Sequence, residues 1–209
     1  MIKQYSVTFV LHYSTFLYNY LIYIALKLMF VRYKKLSEEL FQFFNTAQHR
    51  RVNSLSNFLN RNRSTLVDLK ETSDLINDVF GWPILLIIFS AYQQILVYLD
   101  VVVNNPQNRP LDVVLLNVTT ILIVWVGNVT ILLFCDSVVK EREKILTESY
   151  RLQTRATRDD QEQLWKFIAV IKDNVPEFSA AGFFSLNKSM ILQILDSLIT
   201  MLIVMIQLR

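Results

Sequence analysis

Glycine and proline are scarce, with three and four copies in 209 residues. That scarcity excludes a Gly-rich loop of the kind that cradles phosphates. A single cysteine, Cys135, excludes an internal disulfide framework and any Cys-x-x-Cys metal or redox site. The only histidines, His12 and His49, share no metal-ligand spacing, and no Ser/His/acid set can be assembled around either. No metal, cofactor or enzymatic activity is therefore expected. The net charge of +3 says little by itself, and no nucleic-acid partner is expected. What is abundant is apolar surface. Hydrophobic residues make up 53% of the chain and charged residues only 19%, too few to solvate the exterior of an ordinary helical domain. The composition points to an all-α, polytopic bundle of membrane-spanning helices forming one domain over residues 1–209.

Four runs are long enough for a hydrocarbon core that needs about 20 apolar residues. They cover residues 7–31, 79–103, 111–135 and 190–208. The first holds seven aromatics together with His12 and Lys27. It is too long and aromatic for a signal peptide and no small-x-small site follows it, so it reads as a retained span. Basic residues separate the connections sharply. Eight Lys or Arg lie in 32–78 and nine in 136–189, against Arg109 alone in the link 104–110. Such a bias puts 32–78 and 136–189 in the cytoplasm. Four spans then leave both termini outside, an arrangement that suggests an odd number of preceding spans is missing. Asn104-Asn105-Pro106 marks a short exterior hairpin.

The two long connections are not featureless. Leu36, Leu40, Phe43 and Phe44 recur at helical spacing, as do Ile145, Tyr150, Leu152, Leu164, Phe167, Ile168 and Ile171. Lys140 with Glu143 and Lys144 with Glu148 are placed to pair along a helix. Either the spans continue as solvated amphipathic helices, or these segments pack together as an assembly domain. Four Asn-x-Ser/Thr sequences, at Asn62, Asn117, Asn128 and Asn187, fall in spans or cytoplasmic loops, so glycosylation is not expected. Cys135 reads as a small apolar residue at a span end.

The fourth run is distinctive. Gln193, Ser197, Thr200, Val204 and Gln207 are spaced 4, 3, 4 and 3, which places them in one helical stripe. Its polar members are costly against lipid and must face protein or water. A hydrogen-bonding seam between helices and a water-filled pore lined by several copies both satisfy that demand. Asp196 stands beside the stripe.

The C-terminal residues resemble a known family. Phe178-Ser-Ala-Ala-Gly-Phe-Phe-Ser-Leu-Asn-Lys-Ser-Met, followed by a span ending Thr200-Met-Leu-Ile-Val-Met-Ile-Gln207-Leu208, is similar to the last helix of insect gustatory receptors. There the pattern is approximately A-x-G-x-F-x-L-D/N, an apolar run, then T-Y, five apolar residues and Q-F. Leu75-Ile-Asn-Asp-Val-Phe-Gly81-Trp-Pro-Ile-Leu-Leu resembles the entry to that family's fifth span, and Val138-Val-Lys-Glu141 the stretch after its sixth. The resemblance covers roughly residues 35–209. Met201 replaces the tyrosine and Leu208 the phenylalanine.

The resemblance implies a chemosensory, ligand-gated cation channel in the plasma membrane. Four subunits, alike or mixed with other gustatory receptor subunits, would surround the last helix, with the C-terminus outside. Its ligand would be a small-molecule tastant. The four runs correspond to the family's spans four to seven, so the chain reads as a truncated form or fragment. The family's gate maps onto Val204, Gln207 and Leu208, and the rest of the pore stripe would be Gln193, Ser197 and Thr200. Trp82, Tyr92 and Tyr98 are the aromatic candidates for touching ligand. Ala181, Gly182 and Phe183 would form an assembly bend, with Gly182 allowing close backbone approach. The remaining readings are a non-conducting assembly partner and a four-span scaffold without channel activity.

Overall fold

The computed structural model describes residues 2–46, 52–104, 111–154, 156 and 158–207, with side chains described over 13–43, 55–100, 114–115, 118–154, 156, 158 and 160–207. The side chains of His12, Phe44 and Asn117, and the whole of His49, the link 105–110 and Leu208, therefore lie outside the described residues. The elements run α1 (Ile2–Thr46), α2 (Val52–Asn104), α3 (Leu111–Gln153), α4 (Arg158–Asp173), β1 (Ser179–Ala180), β2 (Phe184–Ser185) and α5 (Lys188–Gln207). Among the described residues four helices are long and apolar enough to cross a membrane, and the protein is an all-α bundle of the membrane type. At about 1.5 Å per residue, α1, α2 and α3 each run to roughly 65–80 Å, twice a hydrocarbon core of about 30 Å. Each expected span is thus one part of a longer continuous helix.

Contacts divide the chain into two compact units. One contains Met1–Ile24, Asp78–Leu133 and Ser179–Arg209; the other contains Ala25–Asn77 and Phe134–Phe178.

The second unit is built on heptad-like seams. Its seam positions are Leu26, Met29, Tyr33, Leu36 and Leu40 on α1, with Ser37 buried beside them, and Leu55, Leu59, Asn62, Leu66, Leu69, Ser73 and Ile76 on α2. On α3 they are Cys135, Val138, Arg142, Ile145 and Ser149. On all three helices the spacing alternates between 3 and 4, the repeat that keeps one narrow stripe against a neighbouring helix. Helix α4 buries Leu164, Phe167, Ile168 and Ile171, a face of one and two turns. The amphipathic segments seen in the sequence therefore pack against one another within the chain and do not project as solvated rods.

Polar residues within these seams have specific tasks. Arg142, 8% exposed, donates from Nε and Nη2 to the Ile171 carbonyl at 3.2 and 2.8 Å. Nη2 also approaches the Lys172 carbonyl at 3.5 Å. The guanidinium thus caps carbonyls that the end of α4 leaves without helical partners. Lys172 lies 5.3 Å from the Tyr150 ring centre, a second tie between α4 and α3. Phe43 stacks on Phe58 at 4.2 Å between centroids, joining α1 to α2. Surface ion pairs differ from those expected: Lys140 pairs with Asp136 at 2.7 Å and Lys144 reaches Glu141 at 3.9 Å. Glu148 pairs with Arg151. Such exposed pairs contribute little to stability in any register. Asn62, Asn128 and Cys135 are buried.

Candidate functional site: the last helix, its hairpin and an apolar cavity

All features in this section belong to the unit that contains α5. Asn187 starts the helix. Its Oδ1 accepts from the Met190 backbone N–H at 3.2 Å and from the Ser189 hydroxyl, the geometry of an N-cap residue bonding to the third helical position. The D/N position of the sequence pattern is thus a helix cap.

Once started, α5 presents three faces. Ile191, Ile194, Leu198, Leu202 and Met205 are half-buried against the chain's own helices. Leu192, Leu195, Ile199, Ile203 and Ile206 are apolar and exposed. Gln193, Ser197, Thr200, Val204 and Gln207 are exposed as well, and their stripe is centred roughly 140° from the packed face at about 100° per residue. The structure thus keeps the polar stripe away from the chain's interior. Leu208, the other expected gate residue, lies outside the described residues.

One stripe member has an internal partner. The Tyr92 hydroxyl on α2 lies 2.9 Å from Ser197 Oγ. Two residues singled out separately in the sequence therefore meet across α2 and α5. Tyr98 is half-buried on α2. Asp196 is exposed, and among the described residues its carboxylate has no hydrogen-bond or ion-pair partner.

The hairpin ahead of α5 joins the two most specific sequence patterns. Strands β1 and β2 pair antiparallel through Ser179 with Ser185 and Ala180 with Phe184. The intervening turn is closed by a bond from Phe183 N–H to the Ala180 carbonyl at 3.0 Å. Ala181 and Gly182 have φ of 51° and 76°, the positive-φ pair of a type I′ turn. This is the expected bend, but close approach occurs elsewhere. A Cβ on Gly182 would meet nothing within 4 Å. A Cβ on Gly81 would stand 2.9 Å from the Ala181 nitrogen and 3.2 Å from its Cα. Gly182 is there for its backbone angle, and Gly81 for space. Next to Gly81, Trp82 meets Phe183 edge to face at 5.9 Å. Pro83, which donates no backbone hydrogen bond, sits within α2 just beyond this contact.

A cavity of about 580 Å³ lies between α1 and α3. Phe16, Asn19, Tyr20 and Tyr23 line it from one side, and Val124, Gly127 and Thr130 line it from the other. Its size and apolar, aromatic lining suit a small ligand, with few polar groups to orient it. Gly127 opens the wall: a Cβ there would meet Asn19 Nδ2 at 2.8 Å. None of Trp82, Tyr92 and Tyr98 lines this cavity. The sequence carried a signal for it in Phe16, Tyr20 and Tyr23, spaced 4 and 3 on one helix and opposite a lone glycine in the most apolar span.

Comparison with known families identifies the architecture. The family described as 7tm Chemosensory receptor matches residues 2–209. The chain belongs to that family. A search of curated proteins finds no match. As a 7tm chemosensory receptor the protein is a membrane receptor. No group of three or more metal-ligating side chains occurs among the described residues.

Proposed function

We propose that this chemosensory receptor is of the gustatory type and acts as a subunit of a ligand-gated cation channel, assembled as a homo- or heterotetramer around α5. The observation that carries the reading is the division of α5 into faces. A membrane helix that packs one side on its own chain and turns a polar stripe outward needs water or other subunits along that stripe. A closed ring of copies supplies both. Val204 and Leu208 then form apolar rings that block ions by dewetting, with Gln207 beside them. A tastant opens the pore only through higher affinity for the open arrangement. The α1–α3 cavity offers a tastant room, and Trp82, Tyr92 and Tyr98 on α2 remain aromatic candidates outside it.

In cells expressing the chain, Val204→Ala should raise ligand-independent cation current several-fold over the unsubstituted chain, because it widens one apolar ring. Gln207→Ala should alter conductance while leaving assembly intact. The Tyr92–Ser197 contact favours a second reading, in which the stripe is a hydrogen-bonding seam and the chain a non-conducting assembly partner. On that reading Gln207→Ala lowers surface expression, and no variant passes current.

A further inference from the structure

We infer that Asp196 from each copy of α5 faces the aqueous pore and forms an acidic ring that concentrates cations on the Lys188 side of the Val204 constriction. The inference rests on the pore reading of α5 and assigns it a residue that neither the gate nor the stripe accounts for. Around the helix axis Asp196 lies about 20° beyond Gln207 and about 40° from Thr200, at the border between the polar stripe and the exposed apolar face. Of those two faces only the polar one can solvate a carboxylate. The packed face is not available to it, being roughly 160° away, and the side chain is exposed with no partner among the described residues. Along the axis it stands about 12 Å from Lys188 and about 12 Å from Val204, near the middle of a helix of about 30 Å. An intramembrane acid at that depth, turned from its own chain and bordering a polar stripe, is placed to draw cations. Four of them in a low-dielectric wall focus the field on the axis and raise local cation concentration. Gln193, one turn closer to Lys188, and Thr200, one turn closer to Val204, report on water at the two sides of the ring.

The test needs no tastant. In membranes carrying the full chain, Gln193→Cys is labelled from the cytoplasmic side with a cationic and an anionic methanethiosulfonate reagent of similar size. Cys135, 1% exposed, gives little background. The cationic reagent should react faster, and adding Asp196→Asn should cut the ratio of the two rates by about tenfold, while Asp196→Glu should preserve it. Thr200→Cys serves as reporter if Gln193→Cys does not assemble. Reaction with an unchanged ratio in the Asp196→Asn background overturns the acidic ring and leaves the pore standing. No reaction at either reporter in an assembled tetramer means the stripe is dry, which overturns the pore reading and the ring with it.

Discussion

Single residues in this protein act mainly through backbone geometry and unpaired carbonyls. Ala181 holds φ of 51°, where an L-residue with a Cβ is strained by about 1–2 kcal/mol. Ala181→Gly should therefore stabilise the hairpin by about 1 kcal/mol, measured as a rise in thermal midpoint of purified protein in detergent. Gly182→Val should lower the midpoint even though space surrounds Gly182, because the cost there is torsional. A loss of tetramer after Gly182→Val would consequently report on the turn before it reported on a subunit contact. Arg142 acts differently, since its planar fork satisfies the Ile171 and Lys172 carbonyls from within a buried seam. Arg142→Lys keeps the charge and loses the fork, so it should not rescue. Both Arg142→Lys and Arg142→Met should cost about 2–3 kcal/mol, the worth of hydrogen bonds to a charged group. Equal stability of Arg142→Lys and the unsubstituted chain would show that charge alone holds the end of α4.

At the scale of elements, the start of the α2 apolar run and the α5 hairpin meet backbone to backbone at Gly81. A Cβ at position 81 would collide with backbone atoms of Ala181, and backbone cannot swing aside as a flexible side chain can. Gly81→Val should displace the hairpin at about 1–3 kcal/mol, the usual cost of overpacking. The readout is exposure of Trp82, whose fluorescence should change as its edge-to-face contact with Phe183 is lost. Gly127 offers the contrasting case, because its neighbour is the side-chain amide of Asn19 and not backbone. Gly127→Ala should fold normally and still reduce tastant response by narrowing the cavity. Much of the element-scale structure was legible. The first three apolar runs fall within α1, α2 and α3, residues 190–207 of the fourth lie in α5, and the 4-3-4-3 polar stripe is an open face of α5. The heptad seams of α2 and α3 were not recognised, because Asn62, Ser73, Arg142 and Ser149 interrupt their apolar pattern. Three of them are tolerated inside because the Ser73 and Ser149 hydroxyls bond local carbonyls and Arg142 bonds a distant helix end, whereas the buried Asn62 Nδ2 has no hydrogen-bond partner among the described residues. The cavity was legible only in part, in the spacing of Phe16, Tyr20 and Tyr23. It depends on which faces of α1 and α3 meet, and a run that is apolar all round does not encode that.

At the scale of the whole molecule, the orientation expected for the chain in the membrane rests on the same two long segments. Residues 32–78 and 136–189 hold 17 of the 21 Lys and Arg, and Arg109 is the sole basic residue of the link between α2 and α3. Insertion retains positively charged segments on the cytoplasmic side, although the bias is strongest for short loops near span ends. Here helical continuity supplies what loop length weakens. Arg32, Lys34 and Lys35 lie immediately beyond the first apolar run on α1, while Lys140, Arg142 and Lys144 follow the third run on α3. Both clusters are therefore adjacent to spans, where the charge rule is most effective. Tags inserted near Asn53 and after Arg158 should be protected from added protease in intact cells, and a tag at Gln107 should be cleaved. A C-terminal tag should also be cleaved, since α5 carries the chain across once more. Protection of the Gln107 tag would invert the orientation, put Gln207 on the cytoplasmic side, and require the constriction to sit at the opposite mouth of the pore. The charge clusters would then have crossed the membrane against their own bias.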